Sequence, residues 1–304
     1  MQVTKTIAEM RAWVRQARAE GKTVGFVPTM GALHIGHVSL IEAAAECCDT
    51  VVVSVFVNPT QFGPGEDFDQ YPRPFEKDLE ICAKHGVHAV FAPSPAEMYP
   101  RENLTWVNVE KLTEGLCGRS RPGHFRGVAT VCTKLFNIVG PDKAFFGQKD
   151  AQQVAVIKRM VADLNMPLEI VVCPTMREPD GLAVSSRNQY LSPQERKDAA
   201  VIYRSLQKGA ERIRAGEASV ARITDEMCGV LRQVPALGIE YVSIVDAESL
   251  QELERVRGRI LMAVAGRLGS TRLIDNVVVD TAAKLGYNDP DSDGRSNTTD
   301  VMIC

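Results

Sequence analysis

The sequence predicts an α/β fold, a Rossmann-like parallel sheet with helices on both faces, followed by a smaller C-terminal α+β domain. Three observations carry that expectation. Through residue 175, short β-branched apolar runs alternate with segments whose apolar residues recur at helical spacing. One of those runs, 51–57, is interrupted only by Ser54, as expected of a strand buried on both faces of a parallel sheet. Beyond residue 192 the order changes to helical stretches first and strand-like ones after. A chain of 304 residues accommodates roughly two domains. The expected division is 1–175 for the Rossmann-like domain, 176–283 for the smaller α+β lid domain and 284–304 for an acidic tail expected to be disordered.

The first helix, 6–20, places Ile7, Met10, Val14 and Ala17 on one face, and Gly21 ends it. Residues 24–27 read as the first strand, and 28–31 turn into a second helix with an inward stripe expected at Val38, Ile41, Ala45 and Cys48. With 51–57 this completes a βαβ unit. A Pro- and Gly-rich loop runs from Asn58 to Pro74, and a helix at 75–85 and a strand at 89–91 continue the alternation. Segment 118–127 is a basic, glycine-rich loop before another helix. Its plain reading is a solvated turn; its functional reading is an anion grip by Arg119, Arg121 and Arg126. The strand at 143–146 leads through Gly147-Gln148-Lys149-Asp150 into a helix ending at 163, where Asp150 and Gln153 have the spacing of a capping box. Residues 168–172 form the last strand of the first domain, and 177–188 an irregular polar loop. Ser192, Pro193 and Glu195 mark the next helix start. Helices at 193–215 and 220–232, then strands at 239–245, 259–264 and 271–278, make up the second domain.

Composition narrows the class. A net charge of -3 gives no electrostatic reason to expect nucleic acid or an anionic membrane as partner. Segment 1–20 is charged and amphipathic, without an apolar signal core, and no stretch has the ~18 apolar residues of a membrane span, so a cytoplasmic location is expected. The eight cysteines are scattered, several within apolar runs, which reads as reduced core thiols.

Ligands of open α/β sheets bind beyond the carboxyl ends of the strands. That rule gathers His34 and His37, Asn58 and Gln61, Lys149 with Asp150 and Gln153, and the Ser185-Ser186-Arg187 loop into one crevice. Two histidines three residues apart share a helix face, and a helix start offers N–H donors and partial positive charge. With the lysine and arginine they suit a phosphate chain whose charge changes during transfer. The amides suit a small polar substrate. Neither a G-x-x-x-x-G-K-[ST] loop nor a G-x-G-x-x-G turn after the first strand is present, which argues against Walker-type NTPases and dinucleotide dehydrogenases. His85 and His88 lack a third ligand nearby, and no metal-binding residues are assigned. In the tail, Asp289, Asp291, Asp293, Gly294 and Asp300 follow EF-hand spacing. Asp300 stands where the bidentate glutamate belongs and Pro290 stiffens the loop, so the spacing reads as chance.

Five longer strings, in this order, resemble the pantothenate synthetase (pantoate–β-alanine ligase) family of the nucleotidyl-transfer superfamily. They are Val27-Pro-Thr-Met-Gly-Ala-Leu-His34, Phe56-Val-Asn-Pro-Thr-Gln-Phe-Gly63, Arg121-Pro-Gly-His-Phe-Arg-Gly127, Phe145-Phe-Gly-Gln-Lys-Asp-Ala-Gln-Gln153 and Arg177-Glu-Pro-Asp-Gly-Leu-Ala-Val-Ser-Ser-Arg-Asn188. The resemblance covers about residues 3–280. It implies a two-step ligase. ATP and (R)-pantoate form a pantoyl adenylate with release of pyrophosphate, and the amine of β-alanine then displaces AMP. The matching positions imply an ATP site at Met30, Gly31, Ala32, Leu33, His34, Ile35, Gly36 and His37 and at Gly147, Gln148, Lys149 and Asp150, with Met176, Val184, Ser185, Ser186 and Arg187 closing over it. Gln61 and Gln153, with Asn58, would hold the substrate acid, Gln61 also lying near β-alanine. His37 is the catalytic residue implied, with His34 and Lys149 as phosphate partners, Mg²⁺ sharing the phosphate charge, and a homodimer as the assembly. Ile35 departs from the family, which often has an acidic residue there. The alternatives are another nucleotidyltransferase of the superfamily or a non-catalytic nucleotide-binding regulator.

Overall fold

In the computed structural model, which describes residues 1–281, the first part of the chain alternates strand and helix. The elements are β1 (Gln2–Thr4), α1 (Ile7–Ala19), β2 (Val24–Thr29), α2 (Ile35–Cys47), β3 (Thr50–Val55), α3 (Phe75–Lys84), β4 (Ala89–Phe91), α4 (Pro95–Met98), α5 (Leu116–Ser120), α6 (His124–Val139), β5 (Lys143–Gly147), α7 (Ala151–Asp163) and β6 (Glu169–Cys173). The six strands form one sheet in the order β1-β4-β3-β2-β5-β6, every neighbouring pair parallel. From β2 the chain moves outward through β3 and β4, then returns to build β5 and β6 on the other side. The order therefore reverses between β2 and β5, and a crevice opens at their carboxyl ends.

Strand periodicity explains why both faces are apolar. Val24, Phe26, Val52, Ala144 and Phe146 belong to one buried cluster, and Val27, Val51, Val53 and Phe145 to another. Residues two apart share a face, so the continuous apolar runs supply two cores. The edge strand β1 has no apolar run of its own and exists through its pairing with β4. Thr6 and Glu9 cap α1 reciprocally. The inward stripe of α2 is Val38, Leu40, Ile41, Ala43 and Ala44, whereas Ala45 is exposed. Its rotation is set by close packing on β2: a Cβ added to Gly25 would lie 3.3 Å from the Ala44 Cβ.

The remainder comprises α8 (Pro193–Asp198), α9 (Val201–Arg214), α10 (Val220–Leu231), β7 (Leu237–Asp246), β8 (Arg259–Leu268) and β9 (Thr271–Asp280), with the strands in an antiparallel sheet ordered β7-β8-β9. Ser192 and Glu195 form the capping box of α8, with Pro193 in its first turn. The single helix expected at 193–215 is divided at Ala199–Ala200. Central strand β8 is buried on both faces. Ile260, Met262, Val264 and Leu268 join the cluster containing Leu206, Ile213, Ile223 and Met227 of α9 and α10. Leu261 and Ala263 join the cluster that also holds Val154 and Ile157 of α7.

Cys48, Cys82, Cys117, Cys132, Cys173 and Cys228 are free thiols. Burial pushes those of Cys82 and Cys132 up to about 12. The tail spacing reminiscent of an EF-hand lies outside the described residues, as does Cys304.

Candidate active site

The turn from β2 to α2 is held from below. Asp78, 1% exposed in the first turn of α3, accepts hydrogen bonds from the backbone N–H groups of Ala32 at 2.9 Å and Leu33 at 2.8 Å. Gly31 has φ of 82°, and a Cβ there would lie 2.9 Å from Asp78 Oδ2, so a side chain is excluded by both conformation and space.

His34 is the N-cap of α2 rather than a member of its first turn, and His37 is the third helical residue. The two imidazoles cap the helix reciprocally. Gly36 N–H donates to His34 Nδ1 at 3.1 Å, and His34 N–H donates to His37 Nδ1 at 3.3 Å. The N–H groups of His37 and Val38 both go to the His34 carbonyl. The N–H groups of Gly36 and His37 are thus engaged within the chain, which narrows the donors this helix start offers an anion. The turn presents the imidazoles as well. With Nδ1 accepting, the neutral proton sits on Nε2, leaving each ring an N–H donor. Burial lowers His34 to about 4 and His37 to about 3, with Lys149 adding to the effect on both.

Across the crevice, Asn58 caps the 3-10 turn Pro59–Gln61. It is 1% exposed, and its amide is fully engaged. Nδ2 donates to Gln61 Oε1 at 3.0 Å and to the Gly127 carbonyl at 3.3 Å, while Oδ1 accepts from Tyr99 OH at 2.9 Å and Thr60 Oγ1 at 3.0 Å. Holding Gln61 Oε1 this way leaves Gln61 Nε2 as the donor end, 3.3 Å from Met30 Sδ. The turn packs directly on α6, where a Cβ at Gly127 would lie 2.7 Å from Gln61 Cα. His124 accepts from Arg121 at Nε2 (3.0 Å), so its Nδ1–H donates to the Gln61 carbonyl at 2.8 Å.

Two arginines of the crevice are paired with neighbouring acids of one loop. Arg121 meets Glu66 through two bonds of 2.7 and 2.6 Å, and Arg187 meets Asp67 through two of 2.9 and 3.0 Å. Burial pushes the Glu66 carboxyl upward, yet Arg121 brings it below the usual range. Lys149 Nζ lies 3.6 Å from Asp150 Oδ1. The expected capping box at α7 does not form: its start has no side-chain cap, and Gln153 lines the cleft. The loop after β6 folds back on itself, Val184 N–H donating to the Met176 carbonyl at 2.9 Å and Ser186 Oγ lying 3.4 Å from Tyr71 OH.

The cleft thus brings together Met30, His34, Gly36, His37, Asn58, Gln61, Gly147, Lys149, Asp150, Gln153, Met176, Val184, Ser185, Ser186 and Arg187. Five residues expected at the ATP site have other surroundings. Gly31, Ala32 and Leu33 form the turn seated on Asp78, Ile35 is 55% exposed to solvent, and the Gln148 side chain turns to Asn276 of β9. Of the three loop arginines only Arg121 lines the cleft; Arg126 stacks on Trp106 and Arg119 faces Glu252 at 3.8 Å. His124 and the apolar wall of Phe56, Phe62, Val128, Val131 and Leu135 went unread in the sequence. For His124, Val128, Val131 and Leu135 the signal, one face of a helix after a glycine-rich loop, is that of any core helix. His88 is structural, accepting the Val51 N–H at 3.1 Å.

A sequence model of the pantoate-beta-alanine ligase family matches residues 2–278. A pantothenate synthetase from Pelotomaculum thermopropionicum is 56% identical over 279 residues, covering 92% of this chain and 99% of that one. One from Heliobacterium modesticaldum is 56% identical over 280 residues, covering 92% and 100%. The crystal structure of pantothenate synthetase from Thermus thermophilus superposes with a TM-score of 0.87 at 48% identity, covering 91% of this chain and 99% of that one. The pantoate-beta-alanine ligase of Francisella tularensis, complexed with β-γ ATP and β-alanine, gives a TM-score of 0.76 at 36% identity over 91% and 97%.

Proposed function

The chain belongs to the pantoate–β-alanine ligase family and is an enzyme of that reaction, and from this premise we propose how its cleft divides the work. The carrying observation is that the switch-point cleft joins His34, His37 and Lys149 on one side to Gln61, Gln153 and an apolar helix face on the other. ATP lies along the first group. Pantoate lies against the second, its polar groups met by Gln61 Nε2 and Gln153 and its methyl groups by Val128, Val131 and Leu135.

In the first half-reaction a carboxylate oxygen of pantoate attacks the α-phosphorus, forming the acyl–phosphate bond of pantoyl adenylate while the bond to the β-phosphate breaks and pyrophosphate leaves. The Nε2–H groups of His34 and His37 stabilise the charge shifting onto the phosphates, and Lys149 supplies the fixed positive charge. In the second, the amine of β-alanine attacks the acyl carbon, the bond to AMP breaks, and the amine gives up a proton. Arg121 suits the β-alanine carboxylate once Glu66 yields its place. Arg187 and the Val184–Ser186 segment close over the nucleotide and protect the adenylate from water. Asn58 serves by holding Gln61, its own amide being engaged. Mg²⁺ fits here as a companion of the phosphates: Asp150 offers a cleft carboxylate, and this ion commonly takes one or two carboxylates plus substrate oxygens. Its charge would offset that of the triphosphate.

The same reading includes a homodimer, a cytoplasmic setting and a domain division at 175/176, with 176–283 as the lid domain. Among the described residues no helix is long and apolar enough to cross a membrane, and each sheet has helices packed on it. Light scattering of the purified chain checks the dimer. The reaction is tested by AMP release dependent on both pantoate and β-alanine, and the order of steps by pantoate-dependent exchange of pyrophosphate into ATP without β-alanine. Absence of that exchange would remove the adenylate from the path.

A further inference from the structure

One side chain of the second sheet bonds the backbone on the phosphate side of the cleft. Asn276 stands in β9 opposite Ala263 of β8 and is 4% exposed. Its Nδ2 donates to the Gln148 carbonyl at 2.9 Å and to the Lys149 carbonyl at 2.8 Å, while its Oδ1 accepts from Gln148 Nε2 at 3.1 Å. Those two carbonyls belong to the peptide groups on either side of the Lys149 Cα. Because each peptide is planar, only φ and ψ of Lys149 lie between them. One amide therefore fixes both planes, and with them the direction in which the Lys149 side chain leaves the backbone. A lysine carries a flexible four-carbon stem, so a fixed root narrows where its ammonium can reach. Asn276 is itself anchored: its N–H donates to Asp275 Oδ1 at 2.7 Å, and Asp275 is held by Arg177 through bonds of 2.6 and 3.0 Å.

We propose that Asn276 is a positioning residue for the adenylation half-reaction, acting through Lys149 by setting where its ammonium meets the phosphates. This inference rests on the reading of Lys149 as a phosphate partner. An asparagine needed only for folding would, when removed, lower the amount of active protein and leave its rate constants unchanged, or slow both half-reactions together. A positioning residue slows the first selectively.

Two rate constants of the full chain decide between these. One is the burst of pyrophosphate release from ATP and saturating pantoate; the other is aminolysis of preformed pantoyl adenylate by β-alanine. Asn276→Ala is expected to slow the first about 10- to 100-fold, the loss that a ~1 Å misplacement produces, and to leave the second within about two-fold. Burst rate constants do not depend on the folded fraction, so a partly folded preparation still reports. Gln148→Ala removes only the bond that orients the Asn276 amide and is expected to slow the same step about three-fold; it decides the matter if Asn276→Ala yields no soluble protein. Lys149→Ala separates the two readings. Normal adenylation in Lys149→Ala removes Lys149 from the mechanism and the inference with it. Impaired Lys149→Ala beside a decisive variant that adenylates at the wild-type rate, or that slows both steps equally, overturns the positioning role alone.

Discussion

His34 and His37 each accept a backbone N–H at Nδ1, so protonation there would set one N–H against another. With burial in addition, both rings are neutral near pH 7, and Lys149 rather than imidazolium carries the charge on that side of the cleft. The sign of the pH effect follows. Each folded-state pKa lies below the unfolded value of about 6.5, so below that pH the unfolded chain binds more protons and stability falls as pH drops toward about 4 for His34 and about 3 for His37. Urea midpoints measured from pH 7 to pH 4 are expected to decline, and a His34→Gln, His37→Gln double variant to decline less; parallel curves would refute the burial argument. For catalysis, His37→Ala is expected to cut adenylation about 100-fold or more, with an unchanged circular dichroism spectrum. Near-normal turnover would exclude His37.

Gly127 shows how one element sets a site on another. Helix α6 approaches the Pro59–Gln61 turn so closely that Gly127→Ala drives its methyl into the Thr60 carbonyl, a backbone atom with no rotamer to escape by. About 1–3 kcal/mol of strain is expected. Displacement of Gln61 converts part of it into an increase in KM for pantoate of about ten-fold, read by steady-state kinetics with ATP saturating. An unchanged KM would mean that the turn and the helix separate freely. This contact also marks what sequence alone conveys. The strands from β2 to β6 and the helices α2, α3, α6 and α7 were legible because their apolar periods are local, whereas the short helices α4 and α5 are too brief to show a period and the start of 118–127 read as loop. Strand β1 was not legible either, since three residues paired with β4 carry no pattern of their own, and the rotation of α2 was not, since Gly25 sets it from a neighbouring strand. In the cleft, motif order placed His37, Gln61, Lys149 and Arg187. The bonds of Asn58 to the Gly127 carbonyl and of Gln148 to Asn276 join residues 69 and 128 positions apart and are invisible to spacing.

Across the whole molecule, β8 links the two sheets' surroundings. Its alternate residues belong to different cores, Leu261 and Ala263 with α7, Ile260, Met262 and Val264 with α9 and α10. Breaking either core therefore exposes one face of the same strand. Calorimetry of the chain is expected to show one cooperative transition, with calorimetric and van't Hoff enthalpies in agreement; two resolved transitions would show that the cores melt independently. The two-sided burial of β8 also bears on how such enzymes can diversify. Surfaces joined by a strand that both halves treat as interior are poor crossover points. Chimeras exchanging the region after residue 176 between relatives should fail unless Leu261, Ala263 and their α7 neighbours are exchanged as a set. The halves are then inherited together, and variation in substrate choice has to arise within the cleft's walls rather than by shuffling the parts that frame it.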